Sequence, residues 1–135
     1  MLLFNMSEIL ELPSKEIKKY LAKNSNAVLL DVRTDQEWKL IGKPAPAALG
    51  IEAHFLSYQI GEQRILNEDF EQQFLDLKID KSKTIMCICR SGARSMRAAE
   101  IIKDLGYEAI NISDGFEGSP AIQEKGWKAN NLPCE

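Results

Sequence analysis

Cys89-Arg90-Ser91-Gly92-Ala93-Arg94-Ser95 brings one thiol, two guanidiniums and two hydroxyls into one short stretch. The stretch follows Thr84-Ile-Met-Cys-Ile-Cys89, the strongest strand in the chain and apolar on both faces, as a central parallel strand must be. It precedes an amphipathic helix predicted over Ser95 to Leu105, with Ala98, Ile101, Ile102 and Leu105 inward and Gly106 as its stop. A loop between a central strand and a helix turns backbone N–H groups toward one point, where the helix dipole also favours negative charge. Gly92 permits a tight cradle, and Arg90 and Arg94 add fixed cations. A free cysteine, with a pKa of about 8.5, is only a few per cent thiolate at neutral pH. Loop amides, a helix N-terminus and arginines shift that balance toward the anion, so Cys89 is the candidate nucleophile.

Other reactive residue types have plainer readings. Cys87, two residues back on the strand, is a small buried hydrophobe. Neighbours on one strand face diverge too far for a good Cys87–Cys89 disulfide. Cys134 sits near the chain end and reads as an ordinary surface residue. His54 is the sole histidine, and Cys-x-Cys has no second ligand pair, so no metal or cofactor is expected. Ser95 is expected to cap its helix or bond locally, and Arg97 is either a further cation for the loop or exposed. Asp31 and Arg33 are supporting residues. Asp31, at the end of its strand, is placed to hydrogen-bond near the loop. Arg33 and Glu37, four apart, are expected to form a structural ion pair. Trp38 and Trp127 are packing residues.

The remaining elements alternate. Ser7 to Leu12 reads as a short first strand, and Pro13-Ser14 opens a helix to about Lys23 with Ile17, Tyr20 and Leu21 on one face. Ala27-Val-Leu-Leu-Asp31 is a buried strand, and Thr34 with Glu37 has capping-box spacing for a short helix carrying Trp38. Between Ile41 and Gly61, prolines and glycines break any long element, and Ala47 to Glu52 offers a short strand. Asn67 or Glu68 to Leu77 is helical, Glu108-Ala-Ile-Asn-Ile112 is the last strand, and Asp114-Gly115 turns the chain. This alternation implies an α/β fold with a mostly parallel sheet.

With 135 residues, 44% hydrophobic and 27% charged, the chain has room for one domain with its own core. No apolar run approaches the roughly 20 residues that span a bilayer, and the start, Met1 to Asn5, has no secretory pattern. Seventeen basic against 20 acidic residues, net −3, exclude a general affinity for nucleic acid or anionic membrane. Yet Lys81 to Ala99 holds five cations and no acid, with two of the three cysteines inside it. The lack of a secretory or membrane pattern makes a cytoplasmic protein the expectation, and an odd number of cysteines there points to free thiols.

On these residues the chain resembles the rhodanese-like domains, specifically the single-domain sulfurtransferases. Cys89 to Ser95 is similar to that family's active-site loop. Asp31-Val32-Arg33 with Glu37-Trp38, Ile112 to Glu117, and Gly126-Trp127 with Leu132-Pro133 resemble its other signatures, from about Ser7 to Pro133. The resemblance implies one domain over 1–135: a five-stranded, mostly parallel sheet with helices on both faces. It departs at Ile41 to Ala47, where the family's usual histidine is absent, and at Asn131, where relatives often carry glycine. Asparagine tolerates the left-handed backbone, so the turn can survive. Four residues separate Cys89 from Arg94, whereas the related phosphatases carry five. The shorter loop fits a single sulfur on cysteine rather than a phosphate.

The resemblance therefore implies sulfur transfer through a Cys89 persulfide. Arg90, Ser91, Gly92, Ala93, Arg94 and Ser95 would cradle the site, and the arginines would neutralise a thiosulfate dianion and the departing sulfite. The expected partners are a small sulfur donor and a thiol or cyanide-like acceptor, including thioredoxin-like or persulfide-carrying proteins. The competing readings are a non-catalytic interaction module, against which the intact loop argues, and a phosphatase or arsenate reductase, against which the loop length argues.

Overall fold

A computed structural model describes residues 8–135. Strands β1 (Leu10–Leu12), β2 (Ala27–Asp31) and β3 (Ala53–Phe55) are followed by a small antiparallel hairpin, β4 (Gln59–Ile60) with β5 (Ile65–Leu66). Then come β6 (Thr84–Ile88) and β7 (Glu108–Ile112). Helices α1 (Ile17–Lys23), α2 (Asp35–Ile41), α3 (Phe70–Asp76), α4 (Ala93–Asp104) and α5 (Gly126–Ala129) lie between and after them. Five strands form one parallel sheet in the order β1-β7-β6-β2-β3.

Period-two alternation splits the strands between two cores. Val28, Leu30, Ile85, Cys87 and Ala109 face α3 and α4, packing on Phe70, Phe74, Ala98 and Ile102. Leu29, Met86, Ile88, Ile110 and Ile112 face the other way, against Ile17, Leu21, Phe116 and Trp127. Helices thus cover both faces, and buried strands must be apolar on both sides, as the sequence of β2 and β6 requires. No helix among the described residues is long and apolar enough to cross a membrane.

Several expectations change in detail. The first strand is confined to Leu10–Leu12, and both Ser7 and the start at Met1 to Asn5 lie outside the described residues. Ala47 to Glu52 is not a strand: Pro46–Leu49 form a 3-10 turn ended by Gly50 at φ +85°, and β3 begins at Ala53. Proline at the first position of that turn favours helical over extended backbone. Helix α4 starts at Ala93, two residues early, because Gly92 at φ +108° supplies its N-terminal corner. The α2 capping box is formed, Glu37 N donating to Thr34 Oγ1 at 3.2 Å and Thr34 N to Glu37 Oε1 at 3.1 Å. Asn131 takes up the left-handed backbone, φ +59°.

The two strands that matter most are β2 and β6, paired so that Asp31 lies opposite Ile88. Beyond β2 the chain proceeds to β3 on one side, and beyond β6 to β7 on the other. Connections that part company in this way open a crevice at the carboxyl ends, where α/β sheets hold ligands. Cys89 directly follows β6, and Arg33 lies two residues beyond β2.

A buried carboxylate locks the ends of the fold to this arrangement. Asp114 accepts hydrogen bonds from Ser14 N at 2.8 Å, Ser14 Oγ at 2.7 Å and Gly126 N at 2.9 Å. Asp114→Ala leaves these buried donors unpaired, with an expected loss of about 3 kcal/mol by urea unfolding. A loss below about 1 kcal/mol would show that water satisfies them.

Candidate active site

The loop after β6 is built from main chain. Cys89 O accepts from Phe116 N at 2.8 Å and Arg90 O from Glu117 N at 3.0 Å, so both carbonyls face the segment after β7. Close approach is possible only because Gly115 has no side chain: a Cβ there would lie 2.4 Å from Arg90 O and 2.6 Å from Cys89 O. Gly92 is pinned likewise, its Cβ position being 2.3 Å from Ser113 O.

With its carbonyls turned away, the loop presents donors to the sulfur. Gly92 N–H donates to Cys89 Sγ at 3.2 Å, and Ser95 Oγ lies 3.2 Å from the same atom. Sulfur, loop amide and hydroxyl thus meet at the N-terminus of the twelve-residue α4. Cys89 is buried, 1% exposed, with its sulfur held inside the loop. The side chains of Ser91 and Ala93 are exposed.

The charged residues are arranged differently from expectation. Arg33 does not pair with Glu37. It folds back on Asp31, Nε donating at 3.1 Å and Nη2 at 2.8 Å, with both residues fully buried. Its Nη2 also donates to Gly42 O at 2.9 Å, and its guanidinium stacks 4.2 Å over the Phe116 ring. The reason is geometric: Arg33 precedes the α2 cap, so it shares no helix face with Glu37. Asp31 accordingly serves Arg33, not the loop.

Glu37 instead holds Arg94 in a two-pronged pair, Nη1 to Oε1 at 2.7 Å and Nη2 to Oε2 at 2.9 Å. Arg94 is thereby neutralised and oriented, with its side chain only 12% exposed. Burial alone would raise the Glu37 carboxyl. The Arg94 hydrogen bonds, the Thr34 amide and the charges of Arg94 and Arg64 outweigh that and hold it at about 2, against 4.5 ordinarily. Arg90 stays 61% exposed beside Glu117 at 3.5 Å, and Arg64 reaches Glu37 at 3.5 Å from the β4–β5 hairpin. Both remain open to solvent. With their carboxylate partners Glu37 and Glu117, and with Thr34, Gln36, Leu40 and Ile41, they line a cleft of about 240 Å³.

Arg97 is exposed and pairs weakly with Glu100 at 3.7 Å, taking no part in the loop. Cys87 is fully buried, and burial, with the neighbouring Cys89 sulfur behind it, pushes its thiol up. Cys134 lies by the C-terminus, its thiol raised chiefly by local burial despite Lys128 and Trp127. His54 sits on β3 beside Glu52.

Sequence reasoning missed Asn111 and Glu11. Asn111, buried on β7, sits 2.5 Å from Ser95 Oγ through Oδ1, and its Nδ2 donates to Gly92 O and Glu11 Oε1, each at 3.1 Å. The clue was an amide within the buried part of a strand, since a buried polar group requires partners.

Residues 14–119 match the rhodanese-like domain family. The chain belongs to that family. An uncharacterized protein of Rickettsia conorii is 48% identical over 117 residues, 85% of this chain and 88% of the relative. A putative sulfurtransferase of Bacillus subtilis is 27% identical over 109 residues, 81% and 88% of the two chains. A crystal structure of a Mycobacterium tuberculosis protein superimposes with a TM-score of 0.79 at 32% identity, covering 93% of this chain and 96% of the other. The rhodanese-like assignment and the five-stranded parallel sheet thus agree.

The Glu37–Arg94 pair has a pH signature. Its carboxyl is depressed on folding, so its stabilisation is complete above about pH 4.5 and fades as pH falls toward 2. Glu37→Gln should cost about 3 kcal/mol at pH 7, because it strands a mostly buried guanidinium. The gap to the unmodified protein should close on acidification to pH 2, read by thermal unfolding at a series of pH values. A gap independent of pH would assign the loss to the cap alone.

Proposed function

We propose that this rhodanese-like protein is a sulfurtransferase working through a persulfide on Cys89. The observation that carries the reading is the sulfur held within the loop by Gly92 N–H and Ser95 Oγ, each 3.2 Å away, where α4 begins. Those groups suit a sulfur that carries negative charge, first as thiolate and then as persulfide. The relationship to a protein named a putative sulfurtransferase supports the same class.

In the proposed cycle the Cys89 thiolate attacks the outer sulfur of thiosulfate. A new sulfur–sulfur bond forms as the old one breaks, and sulfite leaves with the bonding electrons. A thiophilic acceptor, such as cyanide or a thiolate, then attacks the outer sulfur and restores the Cys89 thiolate. Arg90, exposed next to the nucleophile, is the loop cation placed to meet an arriving dianion, while Arg94 acts through its pair with Glu37. Ser91 and Ala93 contribute the loop's backbone. Because Cys89 is buried, transfer requires the loop to yield locally as donor and acceptor arrive. A small donor and a thiol-bearing acceptor, including a thioredoxin-like or persulfide-carrying protein in the cytoplasm, complete the proposal.

Thiosulfate treatment should add one sulfur to Cys89 and to neither Cys87 nor Cys134, by peptide mass spectrometry. Thiosulfate plus cyanide should give thiocyanate, and Cys89→Ser should reduce this at least about a thousandfold. Turnover surviving that substitution removes Cys89 from the role. An unchanged mass under excess thiosulfate favours a non-catalytic module, and aryl phosphate hydrolysis rivalling sulfur transfer favours phosphatase chemistry.

A further inference from the structure

Ser95 Oγ faces three acceptors: Asn111 Oδ1 at 2.5 Å, Cys89 Sγ at 3.2 Å and Gly92 O at 3.3 Å. It has one proton to give. Gly92 O is already served by Met96 N at 3.2 Å and Asn111 Nδ2 at 3.1 Å, which leaves sulfur and amide oxygen as competitors. The orientation of the amide is fixed by its surroundings. Its Nδ2 points at two acceptors, Gly92 O and the Glu11 carboxylate, and only a donor fits there. Oδ1 therefore faces Ser95, and no other donor reaches it among the described residues.

We propose that Asn111 is a positioning residue that makes the Ser95 hydroxyl a two-way switch beneath Cys89. When Cys89 holds its proton, the Ser95 proton goes to Asn111 Oδ1, the shorter contact, and Oγ accepts from the thiol. When the sulfur is an anion, the hydroxyl rotates and donates to it, and Asn111 Oδ1, left without a hydrogen, draws back from Oγ. Ser95 keeps its own proton throughout, and the proton lost by Cys89 passes to solvent. Asn111 thus opposes the anionic sulfur by claiming the same hydrogen. On the sulfurtransferase reading, it limits how tightly a loaded persulfide is held and so favours its discharge. Glu11, opposite Asn111 across the β1–β7 ladder, keeps the amide from turning over.

The test is the rate of Cys89 alkylation by iodoacetamide at one neutral pH, located by peptide mass spectrometry. Asn111→Leu removes the competing oxygen at similar size and should raise the rate about fivefold, the scale of one net hydrogen bond. In a Ser95→Ala background, Asn111→Leu should change nothing. Asn111→Ala replaces Asn111→Leu if the larger side chain prevents folding. The proposal is overturned if removing the amide lowers the rate or leaves it unchanged, or if the rise persists undiminished without Ser95. Alkylation needs no sulfur donor. A protein that takes no sulfur from thiosulfate yet shows this Ser95-dependent pattern would retain the switch and lose the sulfurtransferase reading.

Discussion

The loop carbonyls of Cys89 and Arg90 are spoken for by the amides of Phe116 and Glu117, and the site depends on that docking. A loop leaving a strand has as many carbonyls as amides, and left alone it shows a sulfur both. Here the segment after β7 takes up the carbonyls, so what remains facing the thiol is donor-rich. The contact is main chain against main chain, tight enough that only glycine serves at 92 and 115. Asp114, just before Gly115, anchors the docking segment to Ser14 and Gly126. Tertiary structure thereby enforces a local polarity that the loop alone could not hold.

Charge around the loop is divided by burial. The Asp31–Arg33 pair is wholly enclosed and the Glu37–Arg94 pair nearly so, each cation matched by a carboxylate in two-pronged contact. Enclosed ions must be matched, because an unpaired one is costly away from water. The consequence is that Arg94, which has a cation's position in the sequence, acts as a structural strut. Arg90 and Arg64 keep more open positive charge, since their pairings at 3.5 Å are loose and solvent-exposed.

What the chain discloses by itself follows from how local each feature is. Strands β2 and β6 were legible because strands buried on both faces are apolar along most of their length. The loop and its helix were legible from adjacent residues, and the Thr34–Glu37 box from its spacing. The Arg33–Glu37 pairing failed because helical spacing was counted across a cap, where the geometry does not apply. Ala47 to Glu52 failed because apolar residues after proline suit a 3-10 turn as well as a strand. Glu37 to Arg94 and Asn111 to Ser95 join residues far apart in sequence, and only the sheet's strand order brings them together.

Within the loop, the residues fixed by the fold and those free of it alternate. Gly92 and Ser95 are enclosed, whereas the side chains at positions 91 and 93 point to water and make no hydrogen bond that the cradle needs. Main chain holds the sulfur; Ser91 and Ala93 only decorate its rim. Exchange at those two places can therefore recut the outer surface of the loop while the sulfur stays where it is, so the shape of the rim and the setting of the thiol can vary independently.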